Sequence, residues 1–122
     1  MRGTLFLSDG IEASWGAALD AAAPGFTRVV SSPGASEPDY SSIEVLYFSG
    51  DVFPERSREF AVAALKSENL RWMHTFSAGV DDAFFRTLIE RGVRLTTSSG
   101  AQAEPIAQTA ILYLLALSRD LP

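Results

Sequence analysis

Short apolar runs alternate with longer amphipathic segments along this chain, and small polar residues separate them. The short runs contain branched and aromatic side chains, a composition that favours buried β-strands. The longer segments repeat apolar side chains three and four positions apart, which is typical of helices with one buried face. The pattern predicts strands at residues 4–7, 26–30, 44–48, 71–76 and 93–96.

Strands that alternate with helices predict a parallel sheet with helices on both faces. The chain has 122 residues, which suits one domain, and five strands fit the flavodoxin-like α/β order. In such a sheet the loops after the strands meet at one edge, where ligands bind. Small polar residues are expected along this edge, at positions 8–10, 49–51, 77–81 and 97–100.

Three helices are expected between the strands, and each has a predicted start. Asp9 is expected to cap the first helix, with Glu12 as its capping-box partner. Pro54 suits the first position of the second helix. The third helix is expected to begin at Asp81 or Asp82 and to end at a glycine.

The C-terminal segment differs from the other helical segments in its pattern. From Pro105 onward it is helical by length, yet residues 110–117 are apolar on nearly every side. A surface helix normally keeps one polar face, so we expect this one to be covered. Two covers are possible: further chain, or a second copy. We expect the isolated chain to form a homo-oligomer through helix 105–119.

Composition excludes several classes of function. A formal net charge of −5 argues against binding to nucleic acid or to an anionic membrane surface. The chain has no cysteine and one histidine, which excludes thiolate and multi-histidine metal sites. The N-terminal apolar run is too short for a signal peptide or a membrane span, so a cytoplasmic location is the default expectation.

Two features of the sequence bear directly on catalysis. No G-x-G-x-x-G follows a strand and no Walker motif occurs, so the chain encodes no nucleotide phosphate loop. His74, the single histidine, lies within a predicted strand. It is either a hydrogen-bonded structural histidine or a general base, and no nearby acid is placed to orient it.

The turn at residues 77–81 is a candidate anion site. It joins a predicted strand to a predicted helix, and the first amides of a helix lack partners and lie at its positive dipole end. Backbone amides there would suit a substrate carboxylate. The alternative is that the small side chains merely allow the turn to fit between strand and helix.

Several motifs occur in a consistent order from residue 70 onward. They are Leu70-Arg71-Trp72, Ser77-Ala78-Gly79-Val80-Asp81, Gly92-Val93, Leu95-Thr96, Ser98-Ser99-Gly100 and the helical segment 106–122. As a set they resemble the amino-terminal part of D-isomer-specific 2-hydroxyacid dehydrogenases, and residues 4–48 fit the same domain more weakly. The resemblance implies a substrate-binding domain at 1–104 and a connecting helix at 105–122. That helix would lead into a Rossmann domain that binds NAD or NADP.

The resemblance also implies roles for particular residues. Backbone amides of the turn would hold the carboxylate of a small 2-keto or 2-hydroxy acid, the loops after two other strands would shape the pocket, and the start of the connecting helix would face the cofactor. The implied substrate-binding residues are Ser77, Ala78, Gly79, Val80, Ser49, Gly50, Thr97 and Ser98, and the implied cofactor contact is Ile106.

Departures from the family pattern limit these implications. Thr97 stands where many members carry asparagine, and Gln108 where glutamate is usual. The family's glycine-rich loop and its catalytic arginine, acid and histidine match nothing in this chain, and His74 corresponds to none of them. We therefore expect no turnover and no cofactor binding by this chain alone. The alternative hypothesis is a non-catalytic flavodoxin-like module that binds a partner or a small acid.

Overall fold

The computed structural model describes residues 2–121 of the chain. The predicted domain bounds, 1–104 and 105–122, each include one terminal residue, Met1 and Pro122, that lies outside this range. The strands are β1 (Gly3–Ser8), β2 (Phe26–Ser31), β3 (Val45–Phe48), β4 (Trp72–Thr75) and β5 (Arg94–Thr97). The α-helices are α1 (Asp9–Ala22), α2 (Ser57–Lys66), α3 (Ala83–Glu90) and α4 (Ala103–Ser118).

The five strands form one parallel sheet in the order β2-β1-β3-β4-β5. This is the flavodoxin-like order, and the predicted fold class is confirmed. The register places Leu5 beside Val45 and Tyr47 beside His74, on the same face of the sheet. Because side chains alternate along a strand, the intervening Leu46 and Met73 face the other way.

The main core lies between the sheet and helices α2 and α3. Leu46 and Met73 of the sheet are fully buried there, together with Phe60 of α2 and Leu88 of α3. The Phe60 ring lies 5.0 Å from the Phe6 ring and 5.7 Å from the Phe48 ring, measured between centroids. Large buried side chains of this kind each contribute about 1.5–3 kcal/mol through removal from water.

Helix α1 lies on the opposite face of the sheet. Ile11, Trp15 and Leu19 lie with Leu5 and Leu7 along one shared groove, although no residue of the helix is buried. The predicted cap was wrong: Ser8, not Asp9, is the N-cap, and its hydroxyl accepts a hydrogen bond from the Ile11 amide at 3.1 Å.

Two other helices begin later in the chain than predicted. Helix α2 begins at Ser57 rather than Pro54, because residues 50–56 form successive turns in which the Arg56 amide donates to the Val52 carbonyl at 2.8 Å. Helix α3 begins at Ala83, and the Asp82 carboxylate accepts from the Phe84 amide at 2.8 Å as its cap. The carboxylate already occupies this helix N-terminus.

Helix α4 starts two residues before Pro105 and packs differently from the others. None of its residues is buried, and its large aliphatic side chains are exposed; they are Ile106, Ile111, Leu112, Leu114, Leu115 and Leu117. Within residues 2–121, no helix combines the length and hydropathy that crossing a bilayer would require.

Candidate functional site

The loops after the parallel strands meet at the carboxyl edge of the sheet, and two kinds of local structure share this edge. On the side of β1 and β3, polar side chains are bonded to one another. On the side of β4 and β5, a turn of small residues presents backbone groups. The two sides are joined by main-chain bonds, such as the one from the Phe76 amide to the Phe48 carbonyl at 2.9 Å.

The β1–β3 side is organised around the Asp51 carboxylate. The hydroxyl of Ser8, at the end of β1, donates to it at 2.7 Å, and the hydroxyl of Ser49, after β3, donates at 2.5 Å. Both serines are fully buried. Gly10 leaves room for this carboxylate, since a Cβ at that position would stand 2.5 Å from Asp51 Oδ2. This group fixes the loop that contains Ser49 and Gly50.

An arginine next to that loop is held by two carboxylates. Arg56 donates to Asp9 Oδ1 at 2.8 Å and to Glu59 Oε2 at 3.0 Å, and it also contacts the Ser31 hydroxyl. The hydrogen bond from Arg56 lowers the pKa of Asp9 below its ordinary value. Because each of its three nitrogens already donates to a protein oxygen, the guanidinium would have to break or share these bonds to hold a substrate carboxylate.

The turn after β4 is held by a short chain of hydroxyl contacts. Thr75 Oγ1 accepts from the Ser77 amide at 3.3 Å and lies 3.0 Å from Ser77 Oγ. That Ser77 hydroxyl donates to the Gly79 carbonyl at 3.1 Å. The Val80 side chain packs against the core and holds the far end of the turn. The turn is therefore fixed from inside, while its outer surface is exposed at Ala78 and Gly79.

The amides of this turn differ in their partners. Within residues 2–121, the Ser77 amide donates to Thr75, whereas the amides of Ala78, Gly79 and Val80 donate to no protein oxygen. The expectation that the turn opens a helix was wrong, because α3 starts only at Ala83 and Asp82 caps it. The candidate site consequently has three loop amides and lacks the contribution of a helix dipole.

The remaining predicted site residues have different neighbours in the structure. Gly50 lies beside Phe76, the residue before the turn, since a Cβ at position 50 would stand 3.6 Å from the Phe76 ring. Ser98 Oγ lies 3.2 Å from His74 Nε2, and Thr97 Oγ1 accepts from the Ser99 amide. Ile106 lies on α4 with 65% of its surface exposed.

His74 is bonded through both ring nitrogens. Nδ1 lies 2.8 Å from Thr96 Oγ1, which also accepts from Trp72 Nε1 at 2.9 Å, and Nε2 lies near Ser98. These contacts fit the structural alternative for this histidine. His74 lies on the face of the sheet where α1 packs, since it lines the same groove as Ile11 and Trp15.

Sequence reasoning missed the Asp51 and Arg56 groups. Their partners lie far apart in the chain: Ser8 is 43 positions from Asp51, and Asp9 is 47 from Arg56. The available signal was that one serine ends β1 and another follows β3. In a 2-1-3 strand order the carboxyl ends of these two strands are neighbours.

The fold is similar to those of two solved structures. A phosphoglycerate dehydrogenase from Lactobacillus plantarum matches with a TM-score of 0.52 and 22% sequence identity, over 95% of this chain and 35% of that one. A phosphoglycerate oxidoreductase from Rhizobium etli matches with a TM-score of 0.57 and 16% identity, over 98% of this chain and 37% of that one.

At these identities the similarity shows a shared fold. The chain spans little more than a third of the length of either structure. No protein-family model and no curated protein matches the chain.

Proposed function

We propose that this chain is the substrate-binding domain of an NAD(P)-dependent D-2-hydroxyacid dehydrogenase. Residues 1–104 would form the domain, and residues 105–122 the helix that leads into a Rossmann domain. Two findings support the proposal: the fold shared with a dehydrogenase and an oxidoreductase, and the motif set from residue 70 onward. The similar part of each solved structure is about as long as this chain, as a domain of a larger enzyme would be.

The observation that carries the proposal is that the amides of Ala78, Gly79 and Val80 donate to no protein oxygen among the described residues. A carboxylate has two oxygens that accept hydrogen bonds, and bonds between an N–H group and an ionised oxygen are about twice as strong as neutral ones. Since the turn is fixed through Thr75, Ser77 and the Val80 side chain, little ordering is needed when a carboxylate binds. The substrate class is a small 2-keto or 2-hydroxy acid.

The other substrate-binding residues have supporting roles in this proposal. Gly50 forms one wall of the pocket beside Phe76, and the buried Ser49 holds that wall in place through its bond to Asp51. Thr97 and Ser98 form the wall on the β5 side. Each wall belongs to a neighbouring strand of the same sheet edge.

The residues of this chain fit the cofactor only in part. NAD or NADP would accept or supply the hydride, and it needs a glycine-rich phosphate turn that this sequence lacks. The one contact that the chain would offer is the exposed Ile106 side chain on α4. The proposal therefore assigns substrate binding to this chain, and expects no NADH oxidation when it is mixed with glyoxylate, hydroxypyruvate or pyruvate.

The test is calorimetric titration of glyoxylate into the chain and two variants at position 79. Gly79→Pro removes one amide donor, and Gly79→Ala keeps it, with a Cβ that would meet only Asp81 Oδ2 at 3.8 Å. Loss of one hydrogen bond to a charged group costs about 1.5–3 kcal/mol, so Gly79→Pro should weaken binding by about tenfold or more.

Circular dichroism checks that both variants keep the fold. Binding by Gly79→Ala close to that of the parent chain would support the role of the amide. Equal affinity of Gly79→Pro and the parent chain, or no glyoxylate binding by the parent chain, would overturn it.

A further inference from the structure

A series of side-chain hydrogen bonds crosses from β4 to β5 on the face of the sheet where α1 packs. Trp72 Nε1 lies 2.9 Å from Thr96 Oγ1, and the same oxygen lies 2.8 Å from His74 Nδ1. The other ring nitrogen, Nε2, lies 3.2 Å from Ser98 Oγ. The register explains this spacing, because His74 pairs with Thr96 and side chains two positions apart on a strand share a face. The series therefore ends in the loop that follows β5.

The direction of these bonds follows from which groups can donate. An indole N–H only donates, so Trp72 donates to Thr96 Oγ1. Within residues 2–121, the other hydrogen-bond partner of that hydroxyl is His74 Nδ1, which accepts the Thr96 proton if the imidazole proton lies on Nε2. The opposite direction would make Thr96 accept twice and would leave its own proton without an acceptor. Bonds that run one way also polarise and strengthen one another, and on these grounds we assign the Nε2–H tautomer to His74.

This tautomer determines what the Ser98 hydroxyl can do. Because Ser98 Oγ accepts from His74 Nε2, its own proton points away from the imidazole, and Ser98 Oγ has no second hydrogen-bond partner within residues 2–121. The Ser98 amide donates to the Thr75 carbonyl at 3.1 Å, and the Thr75 side chain in turn holds Ser77. An oriented hydroxyl donor thus lies at the carboxyl end of β5, on the same edge of the sheet as the amides of residues 78–80.

We propose that His74 is a positioning residue that orients the Ser98 hydroxyl as the side-chain donor of the carboxylate site. The loop amides hold a bound 2-keto or 2-hydroxy acid from the end of β4, and Ser98 adds a donor from the end of the neighbouring strand β5. The inference rests on the proposed function, since it takes the ligand to bind at this edge. It assigns no proton transfer to His74, because Thr96 occupies the Nδ1 lone pair and Ser98 accepts the Nε2 proton.

The tautomer can be measured directly, without any ligand. His74 is the single histidine of the chain, so its two ring nitrogens give unambiguous signals in a long-range ¹H–¹⁵N correlation spectrum. The spectrum is recorded at about pH 8, where an imidazole with the ordinary pKa of about 6.5 is neutral. We expect Nε2 to give the signal of a protonated nitrogen and Nδ1 that of an unprotonated one. The reverse assignment would overturn the proposal, because Ser98 would then donate to Nε2 and have no proton left for a ligand.

Calorimetric titration of glyoxylate tests the hydroxyl itself. Ser98→Ala removes one hydrogen bond to a charged group and should weaken binding by about tenfold, whereas Ser98→Thr keeps the hydroxyl and should recover most of that loss. Ser99→Ala changes the exposed serine next to it and is the matched control. If the parent chain and Ser98→Ala bind glyoxylate equally well, the hydroxyl does not serve the ligand. This inference would then be overturned, while the proposed function would stand.

Two variants of His74 separate positioning from packing. His74→Gln keeps a donor for Ser98 and an acceptor for Thr96 on one side-chain amide, whereas His74→Leu removes both. We expect His74→Leu to weaken glyoxylate binding by about tenfold and His74→Gln to recover most of that loss, with circular dichroism unchanged in both. Equal losses in the two variants would show that the imidazole acts only by its volume, and would overturn its positioning role. An absence of glyoxylate binding by the parent chain would overturn the proposed function and this inference together.

Discussion

The two halves of the sheet's carboxyl edge use similar residues in opposite ways. Beside β1 and β3, two buried serine hydroxyls donate to Asp51, and Arg56 is shared between two carboxylates. Beside β4, the Ser77 hydroxyl donates to a carbonyl of its own turn, and three amides are left without a protein partner among the described residues. We call these the paired half and the open half.

The difference shows where a ligand can compete for donors. In the paired half each strong donor already has an ionised acceptor, so an incoming carboxylate would have to displace one. In the open half, the amides of residues 78–80 have no protein acceptor among the described residues. A ligand there exchanges one set of hydrogen bonds for another and does not break the protein's own. Serines after a strand are therefore ambiguous in sequence, because a long-range partner decides their role.

The largest expected effect comes from a substitution at Gly10 that disrupts the paired half. A Cβ in Gly10→Ala would collide with Asp51 Oδ2, and that carboxylate cannot move without losing its bonds to Ser8 and Ser49. We expect the free energy of unfolding to fall by about 1–3 kcal/mol in urea denaturation. Gly16→Ala, in the same helix, is the control.

At Gly16 the nearest atom to a new Cβ is the carboxylate end of the flexible Glu12 side chain, at 3.1 Å. Alanine is a better helix former than glycine by about 0.5–1 kcal/mol. The control should leave stability unchanged or raise it. Equal losses for both variants would mean that Asp51 does not constrain Gly10.

A smaller loss is expected when one donor to Asp51 is removed. Ser49→Ala deletes a buried hydroxyl that donates to the carboxylate, so stability should fall by about 1 kcal/mol. Ser99→Ala changes an exposed serine in the open half and should stay within about 0.5 kcal/mol of the parent chain. If both variants lose the same amount in chemical denaturation, the two halves do not differ as described.

The Asp9–Arg56 pair predicts a dependence of stability on pH. The pKa of Asp9 is lowered in the folded chain, so its contribution is present above the ordinary pKa of 3.8 and is lost as pH falls through the folded value. Arg56→Gln should therefore flatten the loss of stability on acidification below about pH 4, as measured by thermal melts across that range. Arg86→Gln, an exposed arginine of α3, should retain the slope of the parent chain.

The smallest expected effect comes from removing a negative charge in the open half, which would repel a bound carboxylate. The Asp81 carboxylate lies 3.8 Å from where a Cβ of Gly79 would stand. Under the proposed function, Asp81→Asn should tighten glyoxylate binding by roughly two- to fivefold at low salt, because a repulsion is removed. Glu90→Gln is the distant control, and an unchanged affinity for both would place the bound carboxylate elsewhere.

Periodicity was enough to predict the sheet, because each strand is marked by a local run of apolar residues. The alternation of strands and helices then leaves few possible topologies. The start of α1 was misplaced by one residue because Asp9 has a partner at Arg56, far along the chain. The Ser8–Asp51 contact was not predicted for the same reason, since these two residues are also far apart in the chain. The small residues at 77–81 were enough to predict a turn. Its separation from α3 was not predicted, because it depends on Asp82 acting as the helix cap, and the sequence allowed either Asp81 or Asp82 as the helix start.

The most direct test of the central claim is a titration of ¹⁵N-labelled chain with glyoxylate, followed through the amide resonances. The account predicts that the largest saturable shifts are those of Ala78, Gly79 and Val80, while the amide of Ile11, which already donates to Ser8, does not move. Shifts centred on the paired half, or none at 78–80 up to millimolar glyoxylate, would contradict it.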